Sequence, residues 1–276
     1  MKFFNSPHRV GVVEKARGRT VFGNQLKEPG DLHLVCVRAE QAPVRLESLE
    51  VTEALRTPGV VRIFTASDIP GLNRLGIIPT TKDQEFLADK YIRHRGQALA
   101  LVAAESEAAA RLAAERVKWS GVGVEGVFDP IQALAEGAPL VHPDTRQDNL
   151  MSRRTIVKGE AEKALDHSDV VHEAVYTTSY VEHASLETEG GRAWLEDGRV
   201  FIKASTQNPH YDQEDVARFL GLAQDRIRVI QAETGGGFGG KLDVSVQPYL
   251  ALAAWLLKRP VCMSYTREES FLGTGK

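Results

Sequence analysis

Five glycines fall within six residues in Gly235-Gly236-Gly237-Phe238-Gly239-Gly240. Without Cβ atoms such a stretch can take left-handed backbone conformations and let another group approach its peptide units closely. The β-rich run Arg226–Ala232 precedes it. The apolar run Asp243–Lys258 follows, with Val246, Leu250, Ala253 and Leu257 at helical spacing before Pro260. The glycines therefore belong to a strand–loop–helix unit, in which successive N–H groups beside a helix start make an anion-binding concavity. A flexible linker is the plainer alternative, but linkers are not usually clamped between a buried strand and an apolar helix.

Two phosphate motifs fit by letter. Gly235, Gly240 and Lys241 match G-x-x-x-x-G-K, yet Leu242 stands where magnesium binding needs Ser or Thr. Gly235, Gly237 and Gly240 match G-x-G-x-x-G, without an acidic residue on a second strand about 20 positions on. A P-loop-like nucleotide binder stays open as a minor alternative that depends on Lys241.

The rest of the chain reads as α+β. Strand-like runs lie at Leu32–Val37, Val60–Phe64 and Ala98–Ala104, and Ser106 caps a helix expected to run to Lys118. Residues 121–150, with Pro130, Pro139 and Pro143, read as a connector holding a short helix near Ile131–Ala135. Beyond it, Asp169–Tyr180 reads as a strand. Glu196-Asp197-Gly198 reads as a hairpin turn between Ala193–Leu195 and Arg199–Ala204, and Asp212–Leu222 as a helix closed by Gly221. The expected divisions are a lead at 1–17, a compact domain at 18–120, the connector at 121–150 and a second region at 151–276. Trp119, Trp194 and Trp255 are expected to anchor the core.

Composition excludes several classes. A net charge of −3 gives no reason to expect a nucleic-acid or anionic-membrane partner. Met1–Arg9 lacks the apolar core of a signal peptide, and the longest apolar run, Tyr249–Leu257, is too short to span a bilayer. A cytoplasmic location is the expectation. Cys36 and Cys262 are the two cysteines, both in apolar surroundings, so they cannot make a four-cysteine iron–sulfur site.

Ala204-Ser205-Thr206-Gln207-Asn208, followed by Glu233-Thr234 and the glycine loop through Lys241, resembles the molybdenum-cofactor subunit of the xanthine dehydrogenase/aldehyde oxidase family. Phe238 lies 31 positions after Gln207, which agrees with that family's pattern. Arg267-Glu268-Glu269-Ser270-Phe271 resembles the arginine-acid strand end that follows in relatives. Pro29–His33, Pro58–Val61 and Gly96–Ala103 resemble the N-terminal hammerhead domain. The implied fold is α+β, with a small α/β hammerhead-type domain followed by the first part of a mixed α+β molybdopterin-binding domain.

The resemblance implies a molybdenum–pterin cofactor, in its molybdopterin or cytosine dinucleotide form, that inserts water-derived oxygen into a C–H bond of an aldehyde or N-heterocycle. It implies that Gln207 donates a side-chain hydrogen bond toward the metal's ligands, and that Phe238 and Gly239 offer backbone N–H groups there. Gly236 and Gly237 would pack along the pterin. Leu242 would line the substrate pocket, where purine-oxidising relatives carry Glu, so a substrate unlike xanthine is expected. The implied partners are a complementary C-terminal molybdenum-binding chain, a [2Fe–2S] subunit and an FAD subunit.

Relatives also supply a general-base Glu from a late Gly-x-Gly-Glu motif that does not occur here, so no catalytic residue is assigned in this chain. The isolated chain is expected neither to hold molybdenum nor to turn over. A cofactor-free assembly protein, or a truncated remnant of the family, is the alternative from another class. In the run from His183 to Glu189, the imidazole and the carboxylates of Glu187 and Glu189 suit either a site or a polar strand edge. His167 and His172 read as solvated.

Overall fold

The computed structural model describes residues 11–76, 78 and 82–275. Residues 1–10 of the expected N-terminal lead, and Lys276, lie outside them. By contact density the chain forms two units: one runs to Val124 and resumes over His183–Gly275, and the other is Glu125–Glu182.

In the first unit, α1 (Val12–Ala16) precedes β1 (Leu32–Arg38), β2 (Val44–Glu50), α2 (Thr52–Leu55), β3 (Val60–Phe64) and β4 (Tyr91–Ile92). Strand β5 (Ala98–Ala104), α3 (Glu107–Ala114) and β6 (Lys118–Gly123) follow. The second unit contributes α4 (Ala161–Asp166). The chain then returns to the first unit with β7 (Gly190–Glu196), β8 (Arg199–Ala204), α5 (Pro209–Leu220), β9 (Ile227–Gln231), α6 (Gln247–Leu257), β10 (Val261–Ser264) and α7 (Arg267–Gly273).

Seven strands form one sheet in the order β3-β5-β1-β10-β7-β8-β9; β1–β10 and β8–β9 are parallel and the other neighbours antiparallel. The sheet crosses the sequence division expected between 18–120 and 151–276, because β10 slots between β1 and β7. Strand β5 shows why the centre holds. All seven of its residues are buried, as a strand covered on both faces requires. Alternate residues feed two cores: Leu32, Leu34 and Cys36 of β1 enter one, Val35 and Val37 the other. Helices α5 and α6 cover the first face, and Ala110 and Ala113 of α3 the second. Helix α6 is apolar on every side and buried from Gln247 to Ala254, as a helix wrapped by protein must be.

Several expectations hold: β1, β3, β5, β8 and β9 to within a residue, and the β7–β8 hairpin and α5, with its left-handed cap at Gly221, in place but with β7 and α5 each starting three residues earlier than expected, at Gly190 and Pro209. Ser106 caps α3 through its hydroxyl, accepting from the Ala109 N–H at 3.2 Å. That helix stops at Ala114 rather than Lys118, because residues 118–123 pair instead with β2 in a separate sheet, β4-β2-β6. Helix α6 starts at Gln247 rather than Asp243. Local hydrogen bonds from Val244 N to Asp243 Oδ1 and from Ser245 N to Gln247 Oε1 hold a bent, non-helical stretch ahead of it. Arg267–Phe271 is not a strand end but the start of α7. Thr266 and Glu269 form a reciprocal capping box there, and a capping box starts helices. The tryptophans sit at core margins: Trp119 and Trp255 are partly buried, and Trp194 stacks on Phe201 with centroids 5.5 Å apart.

In the unit Glu125–Glu182, a single turn at Gln132–Leu134 matches the expected short helix. Asn149 fastens it: its amide donates to Ala133 O and Pro139 O, and its Oδ1 accepts from Val141 N. The expected strand at 169–180 pairs with nothing among the described residues, and Val170, Val175, Tyr176 and Tyr180 are exposed. β-branched and aromatic residues suit a pleated surface, but a strand also needs a neighbour for its N–H and C=O groups.

Candidate functional site

Three segments of the first unit converge on the glycine loop. The strand–loop–helix context supplies the loop itself, between β9 and α6. The end of β8 supplies Ser205–Gln207, and the stretch leading into β7 supplies His183–Glu189.

Gln207 is docked against the loop by its carbonyl end. Its Oε1 accepts from the N–H groups of Gly239 and Lys241, each at 3.2 Å, and its backbone N–H donates to Lys241 O at 2.9 Å. Two N–H donors on one oxygen fix the amide's orientation, so its NH₂ turns away from the loop as an uncharged donor. Gly239 is thereby corrected in one respect. Its N–H, expected to face a metal ligand, is directed at Gln207 instead. The N–H groups of Gly236, Gly237 and Phe238 make no hydrogen bond among the described residues.

The glycines answer to close packing as much as to any ligand. A Cβ at 237 would lie 2.4 Å from Gln207 Oε1, and one at 240 would lie 2.9 Å from His183 Cγ. Phe238 takes a left-handed φ of 52° and presents its ring to solvent at 77% exposure. Leu242 follows at the rim, 40% exposed. Five glycines let the chain turn tightly enough to set an exposed aromatic at the tip.

Lys241 overturns the P-loop reading. It is 1% exposed, and its ammonium lies 2.8 Å from Glu187 Oε2 and 3.0 Å from Glu187 O. A phosphate outside the loop cannot reach it. The same Oε2 accepts from Gly235 N at 2.7 Å. Glu187 thus serves the loop from beneath, and Glu189 is engaged by the Ser270 hydroxyl at 2.6 Å. His183 lies against Gly239 and Gly240 with its Nδ1 buried and without a hydrogen bond among the described residues. His167 and His172 are exposed, as expected.

One residue behind the site carried no sequence signal. Asp212 on α5 is fully buried, and burial pushes its carboxyl up to about 7, against hydrogen bonds from Thr206 and Gln247 that favour the ionised form. Neighbouring Asp215 and Asp243 add to the rise. Asp215 itself pairs with the Lys82 ammonium. Burial raises Asp243 as well. The cysteines are free and buried, and burial raises Cys36 to about 12 and Cys262 to about 11, so both stay thiols near neutrality.

The arrangement is that of a cofactor-binding α+β protein whose glycine loop offers uncharged donors and hides its only lysine. Comparison with known proteins agrees. Residues 17–120 match the profile described as "Aldehyde oxidase and xanthine dehydrogenase, a/b hammerhead domain". Residues 141–276 match the molybdopterin cofactor-binding domain. The chain belongs to the xanthine dehydrogenase/aldehyde oxidase family of molybdenum-cofactor proteins and corresponds to the N-terminal part of its molybdenum subunit.

The large molybdopterin subunit of nicotinate dehydrogenase from Eubacterium barkeri is 36% identical over 95% of this chain and 61% of the relative. A probable xanthine dehydrogenase subunit from Bacillus subtilis is 34% identical over 96% of this chain and 35% of the relative. The structure of aldehyde oxidoreductase from Desulfovibrio gigas superposes with a TM-score of 0.89 at 30% identity, covering 97% of this chain and 31% of that one. The chain spans between about a third and three-fifths of the length of these relatives. Among the described residues no helix is long and apolar enough to cross a membrane.

Proposed function

We propose that this chain forms one wall of the active site of a molybdenum hydroxylase that oxidises an aldehyde or an N-heterocycle. The observation that carries the reading is the docked Gln207: its Oε1 is held by Gly239 and Lys241, so its NH₂ is aimed outward beside the uncommitted N–H groups of Gly236, Gly237 and Phe238. A negatively charged dithiolene centre calls for close, uncharged donors, and this surface provides them. When bound, the molybdenum–pterin group supplies the oxygen-insertion chemistry. Gln207 and the Phe238 N–H orient that group's ligands, and Gly236 and Gly237 lie along the pterin. Leu242 borders the substrate.

The reading takes residues 18–120 as the hammerhead-type segment and 151–276 as the first part of the cofactor-binding region, joined by 121–150. It includes a complementary C-terminal molybdenum-binding region, together with a [2Fe–2S] subunit and an FAD subunit as partners. An apolar residue at 242 favours a substrate unlike xanthine; nicotinate, after which one relative is named, is an N-heterocycle of that class. Metal analysis and turnover assays test it. The assembled complex should hold molybdenum in stoichiometric amount and oxidise such a substrate, and the purified chain by itself should do neither. Stoichiometric molybdenum on residues 1–276 alone would refute the assignment of the other walls of the site to protein outside these residues.

A further inference from the structure

Glu187 closes the glycine loop from below. One carboxylate oxygen accepts from the N–H that opens the loop, Gly235, at 2.7 Å and from the side chain that ends it, Lys241, at 2.8 Å. The backbone repeats the connection: Glu187 N donates to Gly235 O at 3.2 Å, and the Lys241 ammonium also donates to Glu187 O at 3.0 Å. Two loop ends six residues apart in sequence are thus tied to a single residue from another segment. That segment is fixed in turn. The Ser185 hydroxyl donates to Glu187 O, and the Arg267 guanidinium at the start of α7 donates to Ser185 O and Leu186 O at 2.8 and 2.9 Å.

Lys241 faces both ways. Its side chain is pinned to Glu187, while its backbone N–H and C=O are the groups that grip Gln207, through Oε1 at 3.2 Å and the Gln207 N–H at 2.9 Å. Any shift of the Lys241 backbone moves the Gln207 amide with it. Both members of the pair are almost wholly removed from water, where a charge that loses its partner is strongly disfavoured. The loop therefore has one low-energy arrangement, the one in which both charges meet. Glu187 Oε1 is buried and accepts no hydrogen bond among the described residues, so the pairing runs through Oε2 alone.

We infer that Glu187 and Lys241 are positioning residues: the buried pair sets the register of the glycine loop and thereby the aim of the Gln207 NH₂. This rests on the molybdenum reading of the site only for what the amide is aimed at; the bracing itself is a property of the chain.

Amide hydrogen exchange on the full chain tests the bracing. In Glu187→Gln, which keeps the shape and removes the charge, the N–H groups of Gly235, Gly239 and Lys241 should exchange about tenfold faster or more. The sheet amides of Ala193 and Ile202 should keep their rates. Wild-type rates at the three loop amides overturn the inference. So does an equal acceleration at Ala193 and Ile202, since the pair would then serve only overall stability. Should Glu187→Gln not fold, the double variant with Lys241→Met, which leaves no unpaired buried charge, is read by the same amides. In the assembled complex the same variant should lower kcat with KM little changed and alter the molybdenum paramagnetic resonance signal. A wild-type complex that holds no molybdenum, with the loop amides behaving as stated, would sink the molybdenum reading and leave the brace standing.

Discussion

The side chain of Gln207 occupies the space that a Cβ on Gly237 would need, the two positions being 2.4 Å apart. Glycine at 237 and glutamine at 207 are therefore a matched pair. Gly237→Ala is expected to push the amide off Gly239 and Lys241, with a stability cost of about 1–3 kcal/mol, the usual range for overpacking. The fold should survive, as judged by circular dichroism and thermal unfolding, while the assembled complex loses most of its molybdenum or its turnover. A variant with full activity would show that the amide's placement does not matter.

Phe238 exposes its ring at the loop tip with a φ of 52°. A non-glycine residue in left-handed backbone costs about 1–2 kcal/mol, and an exposed ring gives little packing in return. Phe238→Gly is expected to leave the chain as stable as before or about 1 kcal/mol more stable by urea denaturation, once glycine's own entropic cost is counted. The same change should raise KM in the assembled complex if the ring borders the substrate. A clear loss of stability would show that the ring is covered in solution by something else.

Asp212 makes stability depend on pH in a stated direction. Its folded carboxyl titrates at about 7, above the unfolded value of about 3.9. Between those values the folded state binds more protons, so stability is greatest below about 4, falls as pH rises through about 7, and is level beyond. Asp212→Asn should remove this contribution and stabilise the chain above neutrality, on the order of a few kcal/mol, with little effect at low pH. Denaturation midpoints of both proteins at pH 5 and pH 8 decide it: parallel shifts at the two pH values would show that Asp212 is ionised throughout.

The sequence revealed elements whose signal is local and withheld those that depend on a distant partner. Strand β5 was legible because seven small or apolar residues in a row leave few other options. The β7–β8 hairpin was legible because Asp-Gly suits the turn. Strand β6 was not, because Lys118–Gly123 alternates weakly and is held as a strand by β2, some seventy residues earlier. Residues 169–180 failed in the opposite sense, having strand composition and no neighbour. At the site, the family resemblance put Gln207 and the loop forward together, and the fold brings them into hydrogen-bonding contact. Glu187 carried half a signal, as one acid in a polar run with His183. Its role became visible only when the fold set its carboxylate under both ends of the loop. Asp212 gave none, since a polar residue on an amphipathic helix reads as solvated until Gln247 of α6 and Thr206 after β8 close over it.

Leu242 carries the reading of substrate class and permits a gain-of-function test. It sits at the loop's rim at 40% exposure, with its N–H donating to Gly239 O at 3.1 Å, a backbone bond that any side chain keeps. Leu242→Glu should therefore change stability by no more than about 0.5 kcal/mol, the usual bound for surface substitutions. It places at the rim the carboxylate that the family resemblance implies for purine-oxidising members at this position. A hydrogen-bonding group can raise discrimination among ring substrates by more than a shape change in an apolar pocket can. In the assembled complex the variant should gain activity toward xanthine or hypoxanthine and lose it toward the aldehyde or N-heterocycle that the proposed function assigns to the parent. Steady-state kcat/KM for both substrate types, measured on parent and variant, checks the exchange. A parent complex that already oxidises xanthine efficiently would remove the premise, because Leu242 would then be no barrier to purines.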